Sequence, residues 1–264
     1  MKKKLYVAIL SGVLFSALLF CACFSPTTHI GVIDTAGLPA AGLYKNLPGG
    51  NYEPVSLTGS GTIIAKVFRY FFEKHEGAFT LFLDEDVITD SVFLYNGNLT
   101  IIGIGAERTI SRGRSGNIFD IQKDVTLTIG NNITLKGYDG NNKALVTFVA
   151  SSNSSFIMEA GSKITGNLTT ANGSGVRLSS YSTFIMNGGV ISGNTASKGA
   201  GVHIWGGTFI MNGGTIYGKS AGSNSNIATG GGSALYVDSS ASSSKAIYSD
   251  KTNIGTTDDT LNGH

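Results

Sequence analysis

Residues Thr183 to Ala196 read TFIMNGGVISGNTA, and Thr208 to Ala221 repeat them as TFIMNGGTIYGKSA. Each copy holds a short apolar run, an Asn-Gly-Gly corner, a second short run and a Gly/Asn loop. A unit this small cannot bury its apolar face alone, and recurrence at a fixed spacing is what a solenoid writes into a sequence. Within each run Phe and Met alternate with Ile, the two-residue period of a strand. Outward from this pair, similar runs define coils that begin at Ile118, Val146, Val176, Val202 and Leu235, at near-equal intervals. Each coil has room for three short strands. Leu127/Ile129, Phe156/Met158, Phe184/Met186 and Phe209/Met211 fall at one place in the coil, and Leu135, Ile164, Ile191 and Ile216 at the next corner. Such residues stack inward, one layer per ~4.8 Å of strand spacing. The expected fold is therefore all-β, a parallel β-helix with three-strand coils over residues 79–250. Parallel crossovers are right-handed almost without exception, so the same hand is expected here.

Composition agrees. Charged residues make up 14% of the 264 and glycines number 37, which suits many short strands and tight turns and argues against disorder. All four prolines, Pro26, Pro39, Pro48 and Pro54, precede residue 55. Proline removes a ladder donor, so a boundary near 55 separates a loop-rich tether, 23–54, from sheet. Ser60 to Glu76 then carries Ile63, Ile64, Val67, Phe68, Phe71 and Phe72 at helical spacing with Lys66, Arg69, Glu73 and Lys74 between them. This predicts a helical cap within 55–78, started by Ser60 or Thr62 and ended at Gly77; a solenoid needs such caps because its ends expose apolar core and open strand edges. The other reading of this stripe is an interfacial membrane helix. Residues 251–264 read as a C-terminal tail.

Residues 1–22 form a secretory leader, with Lys2, Lys3 and Lys4 before an apolar stretch from Leu5 to Phe20. The only cysteines, Cys21 and Cys23, stand at its end. Here the sequence resembles a bacterial lipoprotein signal, in which a small residue precedes the cysteine that is lipidated. Ala22 places that role on Cys23, which implies a lipid anchor in the cell envelope, at the outer membrane or cell surface. A retained apolar anchor, or ordinary cleavage nearby, is the alternative. Removing the three leader lysines turns the formal charge of +2 into −1, leaving no basic patch for nucleic acid. With no other cysteine, disulfides and thiolate metal sites are excluded from the body of the chain.

The strings Phe184-Ile185-Met186-Asn187-Gly188-Gly189-Val190-Ile191 and Phe209-Ile210-Met211-Asn212-Gly213-Gly214-Thr215-Ile216 are similar to the FxxN and GGxI repeats of bacterial polymorphic outer-membrane proteins and adhesin-like surface proteins. The coil length is similar to that of the pectate-lyase-like (pectin lyase-like) β-helix superfamily. The first resemblance implies a surface-exposed binding or structural module. That family typically continues into a membrane barrel, so here the lipid is expected to replace the barrel as anchor. The second resemblance implies a rival: a polysaccharide lyase or glycoside hydrolase.

Candidate sites follow from the alternation. If Val176, Val202 and Leu235 point inward, then Thr147, Arg177, His203 and Tyr236 form one outward column, and Val149, Ser179, Trp205 and Asp238 the next. The only Trp of the chain beside Arg177, His203, Tyr236 and Asp238 suits a carbohydrate-binding groove, where rings stack on sugars and charged tips hold hydroxyls. The plainer reading is a decorated strand face with no ligand. Ile157, Ile185 and Ile210 form a second outward column, an apolar stripe for a partner, a second copy or the tether. Asn187 and Asn212 with Glu159, and Asn167 and Asn194, are corner residues expected to bond along the stack. Length varies in one connection, Gly137 to Ala144, Gly166 to Gly175, Gly193 to Gly201 and Gly218 to Ser233, which marks a binding edge or merely a tolerant one. The acidic cluster Asp84, Glu85, Asp86 and Asp90 reads as a solvated turn in preference to a metal site, and the group Arg108, Arg112 and Arg114 as a solvated loop in preference to an anion site. No phosphate-loop, nucleophile-elbow or zinc pattern occurs. The expected function is thus a non-catalytic, adhesin-like surface module for glycans or host and matrix proteins, with no catalytic residue, metal or cofactor assigned.

Overall fold

The computed structural model describes residues 38–73, 76–149, 153–239, 245–248, 251–252 and 257–263. Among these residues the strands form three long sheets of ten, seven and six strands, which run up the sides of a parallel β-solenoid, and one two-stranded ladder. The protein is a parallel β-helix.

The first sheet stacks Ala78–Leu83, Asn98–Gly103, Thr126–Ile129, Ser155–Met158, Thr183–Met186, Thr208–Met211 and Lys245–Tyr248 in parallel. Its register places Phe156 opposite Phe184 and Phe184 opposite Phe209, with Met158, Met186 and Met211 in line. The three rings lie inside, nearly parallel, with centroids 5.3 and 5.0 Å apart. In the second sheet Leu135, Ile164, Ile191 and Ile216 align in the same way, all fully buried. Strands this short have no stability of their own. Each is held because every rung covers the apolar face of the next and satisfies its ladder groups.

The third sheet holds one difference from the expected register. Val146 pairs with Phe119, not with Ile118, so this coil starts one position later than the alternation suggests. Ile118 is nonetheless fully buried. At this corner two consecutive residues turn inward, Ile118 with Phe119 and Leu145 with Val146, so burial does not reveal which of the pair starts the strand. Higher up the first of the pair is Gly175 and then Gly201, where an added Cβ would come within 2.5 Å of the carbonyl oxygen one coil above.

The helix α1, Ile63–Phe72, buries Ile64, Val67, Phe68 and Phe71, and Thr62 caps it by accepting from the Ala65 N–H. It packs against the first strands of the second and third sheets, Val87–Thr89 and Val92–Leu94, whose outer edges have no strand partner among the described residues. The stripe read from the sequence is therefore a cap on the solenoid. Part of the stretch read as tether does more than link. Gly42–Asn46 pairs antiparallel with Ala78–Leu83 and with Tyr52–Pro54, closing the first sheet. Leu43 is buried, and Tyr44 and Tyr52 cover the outward ring of Phe82 edge to face at 5.7 and 5.3 Å. The stretch read as a tail closes the other end: Lys251–Thr252, Thr257 and Leu261–Asn262 each run antiparallel onto the last strand of one sheet. The antiparallel returns cover the last coil and break the parallel, like-over-like register on which the coils are stacked.

Corner asparagines form two ladders. On the surface Asn187 donates to Glu159 at 2.9 Å and Asn212 to Asn187 at 2.8 Å. Inside, Asn141 donates to Asn167 at 2.8 Å and Asn194 to Asn226 at 3.0 Å, while Asn194 Oδ1 accepts from the Asn167 N–H. All four of these are buried. The variable loops stack on this inner ladder, pairing Thr195–Ala196 with Ile227–Ala228.

Phe184→Ala should cost about 3–5 kcal/mol, the range for removing a fully buried ring. Ile185→Ala, on the half-exposed side of the same strand, should cost about 1 kcal/mol. Urea unfolding of both variants checks the inward and outward assignment; equal losses would refute it.

Candidate functional site

The outer face of the third sheet is built by the middle residue of each strand. Val92–Leu94, Phe119–Ile121, Val146–Phe148, Val176–Leu178, Val202–Ile204 and Leu235–Val237 place Phe93, Asp120, Thr147, Arg177, His203 and Tyr236 in one register column. The expected column Thr147, Arg177, His203, Tyr236 is present. Asp120 belongs to it as well, and a register begun at Ile118 hides it by turning Asp120 inward. Burial pushes the Asp120 carboxyl above its ordinary value, against the pull of Asn117 and Lys143. Gln122 donates to it at 3.1 Å.

Trp205 leaves the strand at the next outward place, 43% exposed, and the guanidinium of the exposed Arg177 lies over its ring at 6.0 Å from the ring centre. Val149 is exposed and Asp238 half-buried beside it. Ser179, expected on this column, is buried and donates to the Val149 carbonyl, so it offers nothing outward. Lys198, which strand alternation does not single out, completes the face from its loop. Its Nζ donates to the Tyr236 hydroxyl at 3.0 Å and sits 4.8 Å from the centre of that ring. The phenol raises the Lys198 ammonium above its ordinary range.

His203 departs from expectation. It lies in the outward column yet is fully buried, and neither ring nitrogen has a hydrogen-bond partner among the described residues. Its ring stacks on Tyr236 at 5.5 Å with the planes 4° apart. The cover comes from loop turns carrying Gly173, Gly199 and Gly232, all with positive φ. An added Cβ on Gly173 or Gly199 would meet the His203 Cβ at 3.1 or 2.7 Å, and one on Gly232 the Tyr236 Cβ at 2.7 Å. Three glycines thus let the loop backbone lie directly on the column, and His203 becomes floor instead of contact surface. Burial first, then the Arg177 cation, push its imidazole down to about 4; Lys198 adds to this and Asp238 opposes it.

What the structure brings together is Arg177, Trp205, Tyr236, Asp238 and Lys198 over a neutral His203. Cation–ring contacts hold the exposed Trp205 and the half-buried Tyr236 at set angles on a rigid ladder, which is how a protein presents flat apolar surface edged by charge. The second expected surface also exists as a column: Ile157, Ile185 and Ile210 are in register and half-buried, following Thr128. The tether hairpin contacts the foot of that column, where Asn46 accepts from Thr80.

The charged groups read as solvated turns are tied into the scaffold. Asp86 accepts from the Thr109 N–H, Asp90 pairs with Arg114 at 2.8 Å, and the buried Arg112 guanidinium donates to the carbonyls of Thr89, Arg114 and Ser115. Among the described residues no three His, Cys, Asp or Glu converge as a metal site, and no helix is long and apolar enough to cross a membrane. The leader and the proposed lipid site Cys23 lie outside the described residues. Compared with protein-family models, curated proteins and solved structures, the chain matches none.

The depressed His203 carries a pH signature. The unfolded imidazole takes its proton near 6.5 and the folded one only near 4, so the unfolded chain binds more protons in between. Stability is therefore complete above about pH 6.5 and falls as the pH drops toward 4, by about 3 kcal/mol for a shift of this size. Urea midpoints at pH 7 and 4.5 should show this loss, and His203→Phe should flatten the part of the slope that His203 contributes.

Proposed function

We propose that the chain is a lipid-anchored protein of the bacterial cell envelope, displayed at the outer membrane or cell surface, whose β-helix is a non-catalytic, adhesin-like module presenting the third sheet to glycans or to glycan-bearing host and matrix partners. The observation that carries this is the exposed Trp205 ring under the Arg177 guanidinium, beside the Tyr236–Lys198 pair and Asp238. Sugars present one apolar face and a rim of hydroxyls, and a rigid aromatic plate flanked by cations and a carboxylate complements both. The repeat resemblance to surface adhesins, the leader and Cys23 support the location. The two halves are separable, because the face can bind whatever the anchor is. No nucleic-acid partner is proposed, since the processed chain is close to neutral.

The rival reading, an enzyme resembling the pectate-lyase-like class, gains one observation: Asp120, its carboxyl raised by burial, stands in the column of Arg177. A glycosidase needs a second carboxylate at catalytic separation. Asp238 is four rungs away, ~19 Å at ordinary strand spacing, too far for either geometry. The binding reading is therefore preferred.

Trp205→Ala should weaken binding to glycan-array hits by about 2 kcal/mol, as loss of an aromatic anchor does, without lowering the melting temperature. Unchanged affinity would remove this face as the site. Release of reducing or unsaturated sugar that is abolished by Arg177→Ala or Asp120→Asn would replace the binding module with the enzyme. Mass spectrometry of the envelope-extracted chain should find a diacylglyceryl group on Cys23; an unmodified cysteine refutes the anchor and leaves the face untouched.

A further inference from the structure

A groove of about 750 Å³ lies at the N-terminal end, between α1 and the first coil, far from Trp205 along the stack. Large apolar side chains stand open on its walls. Phe72 is 69% exposed, Ile88 68% and Phe93 47%. Phe72 meets the Tyr95 ring edge to face at 5.8 Å, and Phe93 stacks on Tyr95 at 6.5 Å, so the three rings make one continuous surface. α1 has already buried its apolar stripe against the solenoid, so Phe72 projects beyond the packed core.

The cations around the groove differ in how they are used. Arg112 is buried in carbonyls and Arg114 is paired with Asp90. Arg69, on the α1 wall, makes no side-chain hydrogen bond or ion pair with any described residue, yet its place is set: an added Cβ on Gly59 would fall 1.7 Å from a guanidinium nitrogen. Gly59, at φ +91°, leaves the space the guanidinium fills at the rim. An apolar aromatic surface with one uncommitted, positioned cation fits a ligand of opposite pattern.

We propose that this groove binds a small anionic amphiphile, with a flat aromatic or acyl body lying on Phe72, Phe93 and Tyr95 and a single carboxylate, sulfonate or phosphate held by Arg69. The occupant is a free molecule and not a bilayer. The groove is walled on one side by α1 and on the other by the turn at Gly113 and Arg114, which suits a small molecule. This site is independent of the glycan face.

Titration of the full chain with 1-anilinonaphthalene-8-sulfonate, followed by fluorescence, tests it, with uncharged N-phenyl-1-naphthylamine as the paired probe. Arg69→Gln should weaken sulfonate binding about tenfold, the loss of one charge-assisted contact, and leave the uncharged probe unaffected. Phe93→Ser should weaken both, and Trp205→Ala neither. Arg69 and Phe93 are exposed, so unchanged melting temperatures will show that the variants fold. Equal sulfonate affinity in wild type and Arg69→Gln overturns the proposal. So does stronger sedimentation of wild type than of Phe93→Ser with phosphatidylglycerol vesicles, which would make the surface a bilayer contact.

Discussion

Everything in this molecule depends on like side chains lying over like along a parallel ladder. Inward positions repeat as Phe over Phe over Phe and Ile over Ile over Ile because a rung of constant shape covers the next rung with least void. The constraint is severe at the corners. Gly175 and Gly201 keep the coils close where any Cβ would strike a carbonyl of the next coil, and the Asn141–Asn167–Asn194–Asn226 series satisfies backbone groups that the turns remove from the sheets. These buried amides bond to one another and to nearby carbonyls, so the interior stays both tight and polar-satisfied.

A ladder of this kind has two raw ends, and both are closed by means that break its own rule. At one end a hairpin and an amphipathic helix cover the first coil; at the other, three antiparallel returns cover the last. The closures cover the apolar interior that the first and last coils would otherwise expose. They also leave, between α1 and the first coil, the aromatic groove that no repeat unit contains.

The exposed faces inherit their order from the core. Arg177 and Trp205 lie close enough for a cation–ring contact because their strands are neighbours, and Tyr236 meets Lys198 because loop and strand stack in the same register. Binding groups fixed to such a frame lose little entropy when a ligand arrives, which is the physical ground for reading this face as a recognition surface. The loops add the chemistry that strands lack. Their glycines bring backbone against the column, take His203 out of solvent and keep it neutral down to about pH 4, so the face carries two cations and not three in mildly acidic solution, where a free imidazole would be charged.

Two-residue alternation and the echo of TFIMNGG in the next coil were enough to establish parallel coils, the inward series and the outward neighbours, because a period-two strand in a stacked coil has only one way to bury its apolar side. The α1 stripe was legible from its helical spacing, with Ser60 or Thr62 as the cap; that Thr62 is the cap, and that the helix ends at Phe72 and not at Gly77, required the structure. Other features required the folded chain. Whether Ile118 or Phe119 starts a strand is undecidable where both turn inward, and with it the place of Asp120. The burial of His203 depends on loop glycines contributed by neighbouring coils, and the roles of Gly42–Asn46 and Leu261–Asn262 depend on edges made by distant strands. Local pattern determines which way a side chain faces; only the assembled stack decides what comes to lie on top of it.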